Sequence, residues 1–185
     1  MKKSILFLIL LLASLSSSAQ KLTKTDNLFF MKGQTNIQLN FDYTKTVYDK
    51  KTLSDFLDDE CKDEKEKKEI KESLSNNTQS ILYQNFKNGL EKGFKKNDNP
   101  MRIRPNESSQ YMITINILSL DKKLNVKGDA VITDKNSGTI KAVIHFVGKS
   151  WKFGTPMQLL SDAYIDAGLK LGNFISKNEG KIIAV

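Results

Sequence analysis

Apolar and polar residues alternate along two separate stretches of this 185-residue chain. In residues 37–43 every second residue is apolar, and this period of two predicts a strand with one buried face. Residues 111–120 also alternate but have apolar groups on both faces, which predicts a central strand covered at least partly on each side. The apolar positions of the alternation are Ile37, Leu39, Phe41, Tyr43, Tyr111, Ile113, Ile115 and Ile117.

A hairpin is predicted after the second of these strands. Residues 126–133 and 139–147 flank a polar turn in which Gly138 takes a positive φ. On the return strand, His145 lies on the face opposite Ile144 and Phe146, so we interpret it as a residue of the sheet surface.

Three further segments have apolar residues at helical spacing. Thr52 followed by Asp55 resembles a capping box that opens the first helix, whose apolar face ends at Cys61. Thr155 and Pro156 form an N-cap and first-turn signature for the last helix. In the last helix and in the helix predicted around residues 82–94, glycines lie beside the apolar row, and we expect them to let each helix approach a sheet closely. These rows are Leu82, Phe86, Leu90 and Phe94 with Gly89 and Gly93, and Leu160, Ala163, Tyr164, Ala167, Leu171 and Ile175 with Gly168 and Gly172.

Residues 62–77 are predicted to form a charged, solvated helix followed by a break. Asp63 and Glu64 stand four residues before Lys67 and Lys68, a favourable spacing for ion pairs on a helix surface. The acids of this region could instead bind a metal, but a calcium loop needs a central glycine that is missing here, so no metal site is predicted. These acids are Asp55, Asp58, Asp59, Glu60, Asp63 and Glu64.

The order of elements predicts an α+β fold with a mainly antiparallel sheet and helices packed on one face. At the start of the chain, a basic beginning precedes the apolar residues 5–13, and Ser17 and Ala19 precede a plausible cleavage site before Gln20. The apolar run is shorter than the roughly 20 residues that span a bilayer, and no later stretch is long enough. We therefore predict a signal peptide at 1–19 and a single exported domain at 20–185, in the periplasm or secreted.

Positive charge limits the choice of partner. The formal net charge is +8, and loss of Lys2 and Lys3 with the signal peptide leaves +6 on a basic mature protein. Such a balance favours anionic neighbours. Because the lysines are interspersed with acids and the chain is exported, we expect no nucleic acid. The expected partner is an envelope protein, a glycan or an anionic envelope component, with no cofactor and no transmembrane segment in the mature chain.

Few residues are suited to catalysis. His145 and Cys61 are the single histidine and the single cysteine, so a multi-histidine metal site and an internal disulfide are excluded. Cys61 lies on the apolar side of a helix and is interpreted as a buried structural thiol. We assign no catalytic residue. The alternative is a carboxylate-dependent hydrolase in which Asp121 or Asp129 acts with Asp134.

An aromatic and basic cluster precedes the last helix. It consists of Trp151, Lys152 and Phe153, with Lys149 nearby. The two aromatic side chains could form a lid over the core. As a binding site, they would stack on a sugar or partner ring while Lys149 and Lys152 meet its negative charge.

The second half of the chain combines a strand that ends at Leu120 and Asp121, a hairpin, and a helix that contains Ala163, Tyr164, Ala167, Gly168, Leu171 and Gly172. From Tyr111 to Lys177 it resembles small exported proteins of unknown function in gram-negative bacteria. Its element order is also similar to envelope α/β modules such as the TolB amino-terminal domain and curli-secretion lipoproteins, although no cysteine stands at a lipid-attachment position. The resemblance implies a non-catalytic binding or assembly role at the bacterial envelope.

Overall fold

The computed structural model describes residues 21–24, 27–75, 78–105 and 108–180. The predicted signal peptide and the cleavage site before Gln20 lie outside these residues. The strands are β1 (Lys21–Lys24), β2 (Asn36–Asp42), β3 (Val47–Tyr48), β4 (Arg102–Ile103), β5 (Tyr111–Leu120), β6 (Val126–Asp134) and β7 (Ile140–Gly148). The helices are α1 (Leu53–Glu60), α2 (Glu64–Ser73), α3 (Ile81–Lys95) and α4 (Pro156–Asn178), and a 3-10 helix covers Phe29–Met31.

The strands form one mixed sheet in the order β1-β7-β6-β5-β2-β4, and β3 also pairs with β5. The pairs β1–β7, β7–β6 and β6–β5 are antiparallel, whereas β2 and β3 run parallel to β5, and β4 runs parallel to β2. The α+β class is confirmed, but the prediction of a mainly antiparallel sheet is wrong. Helices α1 to α3 connect β2 to β5 and allow the chain to re-enter the sheet in the same direction, which a tight turn does not.

The sheet has one buried face and one open face. On β5, Ile113, Ile115 and Ile117 are buried, whereas Asn116 on the opposite face is half-buried and Leu118 is exposed. The central position predicted for this strand is confirmed. The prediction that both faces are covered holds only in part, because the open face bears polar residues and half-buried apolar ones. The hairpin of β6 and β7 is confirmed, and Gly138 in its turn has a φ of +68°.

Helices α3 and α4, called the helix pair below, lie against each other at unusually short range. A Cβ atom added to Gly89 would lie 2.2 Å from the backbone oxygen of Ile165, and one added to Gly168 would lie 2.2 Å from that of Phe86. These distances are far below van der Waals contact, so only glycine permits the approach. The glycines were expected to face a sheet, and this expectation is wrong, because they face the partner helix.

The aromatic core lies between the helix pair and the sheet. The Phe41 ring of β2 meets the Phe86 ring of α3 edge to face, with centroids 5.2 Å apart, and lies 6.1 Å from the Tyr164 ring of α4. Burial raises the pKa of the Tyr43 phenol and, more strongly, that of Tyr164, so both hydroxyls stay protonated. Gly148 at the end of β7 brings the sheet close to α4, since an added Cβ would lie 2.0 Å from the Ala163 backbone oxygen.

The charged segment forms a helix, α2, as expected, but its ion pairs differ from those predicted. Asp63 caps the helix, accepting a hydrogen bond from the Glu66 backbone N–H at 2.8 Å. The Lys67 Nζ atom instead lies 2.7 Å from Asp58 and 2.6 Å from Glu64. The predicted Asp63–Lys67 pair is therefore replaced, because the carboxylate at an N-cap is engaged by the backbone.

Candidate functional site

The segment that joins β7 to α4, residues 149–154, presents two large aromatic side chains to solvent. Trp151 is 75% exposed and Phe153 is 90% exposed. We call this segment the aromatic loop. Two aromatics that formed a lid over the core would be buried, so that interpretation is wrong. Their exposure leaves the alternative from the sequence, a binding surface.

The aromatic loop is held by hydrogen bonds to the turn between β5 and β6. The Ser150 backbone N–H donates to Asn125 Oδ1 at 3.0 Å, and the Ser150 hydroxyl donates to the Lys123 carbonyl oxygen. Asn125 is itself oriented by Asp121, whose Oδ2 atom accepts from Asn125 Nδ2 at 3.0 Å. The backbone just before Trp151 is therefore fixed, although the side chain is not packed.

Helix α4 holds the loop from its other side. The Lys149 backbone N–H donates to Asp166 Oδ2 at 2.8 Å. Thr155 caps the helix in a capping box with Gln158, and the Thr155 N–H donates to Gln158 Oε1 at 2.9 Å. Between the two attachments, Gly154 has a φ of +151°, which other residues rarely adopt. The predicted N-cap is confirmed, and Gln158 is the part of the box that the sequence analysis missed.

Two open clefts flank Trp151, and we call them the tryptophan clefts. They have volumes of about 440 and 380 Å³. The first is lined by Lys123, Asn125, Ser150, Trp151, Lys152 and Leu159. The second is lined by Lys149, Ser150, Trp151, Lys152, Asp166 and Lys170. Three of the four predicted site residues, Trp151, Lys152 and Lys149, thus lie together, and Phe153 follows them on the same loop.

The clefts carry a net positive charge. Lys123, Lys149 and Lys152 are exposed, and the half-buried Lys170 has its Nζ atom 2.6 Å from Asp166 Oδ2. Four lysines therefore line the clefts against the single carboxylate among the lining residues. Lys123 and Lys170 escaped the sequence analysis, because they come from a turn and a helix that only the fold brings beside Trp151.

The residues considered for catalysis lie elsewhere. His145 lies on the open face of the sheet, as expected, and its Nδ1 atom pairs with Asp129 on the neighbouring strand. Cys61 is 2% exposed, and burial raises the pKa of its thiol to about 11. A thiol with such a pKa is protonated at neutral pH and is a poor nucleophile, which agrees with the structural role expected for it.

The three carboxylates proposed for a hydrolase are not brought together. Asp121 lies in the turn before β6, where it accepts hydrogen bonds from Lys123 N and Asn125 N. Asp134 is the last residue of β6, at the opposite end of that strand. Strand β6 rises by ~3.3 Å per residue, so its two ends lie roughly 25 Å apart. Asp129 and Asp134 are five positions apart on this strand, and an odd spacing places their side chains on opposite faces of the sheet.

Neither a cluster of metal-ligating side chains nor a membrane-spanning helix is found in the part of the chain that the structure describes. No group of three or more histidine, cysteine, aspartate or glutamate side chains there could hold a metal ion. None of the helices there is both long enough and apolar enough to cross a bilayer.

Comparison with known proteins assigns no family to this chain. No protein-family model matches the chain, and no curated protein matches it. Among solved structures, a PelC dodecamer from Paraburkholderia phytofirmans aligns with a TM-score of 0.43 and 10% sequence identity, over 84% of this chain and 96% of its own. A single-substitution variant of that protein gives the same score and identity, over 85% and 98%. A likeness of this strength carries no argument about function. The comparisons do not show the resemblance to TolB or curli-secretion modules, which stays a prediction.

Proposed function

We propose that this protein is an exported, non-catalytic binding module of the bacterial envelope, and that it captures its ligand with the aromatic loop and the tryptophan clefts. The observation that carries the proposal is the exposure of Trp151 and Phe153 on a loop that is held at Lys149 and Ser150 before the aromatics and at Thr155 after them. Exposed aromatics usually mark an interaction surface. A loop that is already ordered loses little conformational entropy when a ligand binds, so its contacts contribute more fully to affinity.

The same surface supports binding in preference to turnover. The lysines and polar side chains around Trp151 can fix a ligand, but they include neither a histidine nor a pair of carboxylates for acid and base catalysis. The proposal of export to the envelope rests on the sequence pattern of residues 1–19. The aromatic loop is the surface with which the exported domain would bind a ligand in the envelope.

Capture from a bacterial envelope extract tests the proposal. We expect the immobilised mature protein, residues 20–185, to retain a component that Trp151→Ala with Phe153→Ala retains at least about tenfold less, because aromatic residues dominate interface affinity. Phe29→Ala is the matched control, since Phe29 is also an exposed aromatic, at 54%, but lies in the 3-10 helix.

A panel of glycoside, ester and peptide substrates, run on the same preparation, tests the alternative. We expect no turnover. Turnover that disappears on replacing one of Asp121, Asp129 or Asp134, together with equal capture by the aromatic-loop variant, would overturn the binding module and favour a carboxylate-dependent hydrolase.

A further inference from the structure

We propose that the tryptophan clefts take a linear acidic polysaccharide, with one sugar ring stacked on Trp151 and its carboxylates paired with the surrounding lysines. This inference rests on the proposed function, because it names the ligand class of the same loop. It is carried by the juxtaposition of one exposed indole, two adjacent clefts that it lines, and lysines lining both clefts.

The arrangement of the clefts favours a chain over a compact molecule. Trp151, Ser150 and Lys152 line both clefts, so the two clefts are adjacent and share the indole as a common wall. Each cleft has the volume of a small-molecule site, in the range of ~300–1,000 Å³, but both are open at the surface. A linear polymer can fill one cleft, pass over the indole and continue into the other.

The indole ring of Trp151 suits a sugar. The axial C–H bonds of a pyranose form a weakly positive apolar patch, and the face of an indole is the negative part of its quadrupole. Because Trp151 is 75% exposed, its ring is available for this contact. Phe153, at 90% exposure, lies two residues further along and offers a second ring to the same chain.

The polar lining distinguishes a glycan from a lipid surface. Asn125 donates one of its two side-chain amide hydrogens to Asp121, and the second can be donated to a ligand. The Ser150 hydroxyl donates to the Lys123 carbonyl, and its oxygen can still accept a hydrogen bond. Sugar hydroxyls satisfy such groups, whereas an acyl chain inserted beside Trp151 would leave them without partners. Asp166, on the edge of the second cleft, can likewise accept from a hydroxyl.

The lysines require the sugar to be acidic. Lys123 lines the first cleft, Lys149 and Lys170 line the second, and Lys152 lines both. Asp166 offsets part of the charge of Lys170. The three exposed lysines that remain are divided between two clefts, which matches a ligand with a negative charge on successive units more closely than a single anion.

The test uses the fluorescence of Trp151, the only tryptophan of the sequence, so that the signal comes from the site itself. Titration of the mature protein, residues 20–185, with polygalacturonate should change the emission and saturate, and an uncharged galactan should bind at least tenfold more weakly. Raising the salt from about 0.1 M to about 1 M shortens the screening length from roughly 10 to 3 Å and should weaken binding at least tenfold.

Two triple variants distinguish the contribution of the cleft lysines to binding from the contribution of the protein's overall charge. Lys123→Gln with Lys149→Gln and Lys152→Gln should bind polygalacturonate at least tenfold more weakly. The control, Lys95→Gln with Lys96→Gln and Lys135→Gln, removes the same charge from exposed lysines outside the clefts, at the carboxyl end of α3 and in the hairpin turn, and should bind within about twofold of the wild type, since charges beyond a screening length contribute little. Equal loss in both variants would overturn the site.

Vesicles of phosphatidylglycerol test the other source of negative charge, which is an anionic lipid surface. A blue shift of Trp151 with vesicles and no response to polygalacturonate would overturn the polysaccharide and leave the binding module standing with a lipid ligand. No response to either probe, while capture from the extract still depends on Trp151 and Phe153, would also overturn this inference alone. Loss of that dependence as well would overturn both.

Discussion

The helix pair and the aromatic loop are joined through α4 and use apolar residues in opposite ways. Along the helix pair, glycines bring two backbones so close that an added Cβ would lie 2.2 Å from a carbonyl oxygen, and Leu90 and Ala167 beside them are fully buried. In the loop just before α4, the single tryptophan is 75% exposed. The smallest residues therefore build the contact that stabilises the fold, while the largest apolar side chain remains outside it.

This difference indicates where function lies. The core is complete without the loop aromatics, because Phe41, Phe86 and Tyr164 already fill the space between the sheet and the helix pair. Exposed apolar area gives no stability to the free protein, and it becomes favourable only when a ligand covers it. Changes in the helix pair should therefore affect folding, and changes in the aromatic loop should affect binding.

Apart from truncation of a core aromatic ring, the largest expected effect follows from Gly168→Ala. The added methyl group would lie 2.2 Å from the Phe86 oxygen, so the helices must separate, and overpacking of this kind costs about 1–3 kcal/mol. Alanine is a better helix former than glycine by ~1 kcal/mol, so the free energy of unfolding should fall by a net amount of up to about 2 kcal/mol, and a net loss would show that the close approach dominates. Chemical denaturation measures it.

Lys177→Ala, at an exposed position of the same helix, is the control for this substitution and should change the free energy of unfolding by less than about 0.5 kcal/mol. If Gly168→Ala raised stability by the gain in helix propensity alone, the helices would not be in contact at this point, and the contrast with the aromatic loop would disappear.

The sequence predicted most elements of the fold but not how they meet. Alternation in residues 37–43 and 111–120 identifies two strands, yet parallel and antiparallel neighbours require the same alternation, so the parallel pairing of β2 with β5 could not be foreseen. A row such as Gly168 and Gly172 shows that something approaches the helix closely. The pattern contains no information on whether that neighbour is a sheet or a second helix.

The candidate site divides in the same way between local and distant residues. Trp151, Lys152, Phe153 and Lys149 are adjacent in sequence and were identified as a cluster. Lys123, Asn125 and Lys170 come from other elements, and only the hydrogen bond from Ser150 N–H to Asn125 and the packing of α4 bring them to the clefts. Apolar character alone suggested a buried lid, whereas attachments on both sides of the loop fix its backbone with the rings outward.

Asn125→Ala should have the next largest effect, because it removes an attachment of the aromatic loop. The half-buried Ser150 N–H would lose its acceptor, which costs about 1–2 kcal/mol in the free energy of unfolding. The anisotropy of Trp151 fluorescence should also fall as the loop gains freedom. Asn136→Ala, in the exposed hairpin turn, is the control, and an unchanged anisotropy in Asn125→Ala would mean that the loop is held by α4 alone.

Thr155→Ala tests the attachment on the helix side. Loss of the side-chain acceptor for the Gln158 N–H should lower the free energy of unfolding by about 1 kcal/mol. Thr155→Ser keeps the hydroxyl and should recover most of that loss. Should both substitutions destabilise equally, the threonine methyl group and not the cap would be responsible.

The smallest expected effect is that of removing the loop aromatics themselves. Trp151→Ala and Phe153→Ala should each change the free energy of unfolding by less than about 0.5 kcal/mol, because neither ring is packed in the native protein. Phe86→Ala, in the core between helix pair and sheet, should lose about 3–5 kcal/mol. Denaturation followed by circular dichroism suits all three, since it does not depend on the tryptophan. A loss near 2 kcal/mol in Trp151→Ala would place the indole against the core in solution, and the surface available to a ligand would then be reduced to the lysines of the clefts.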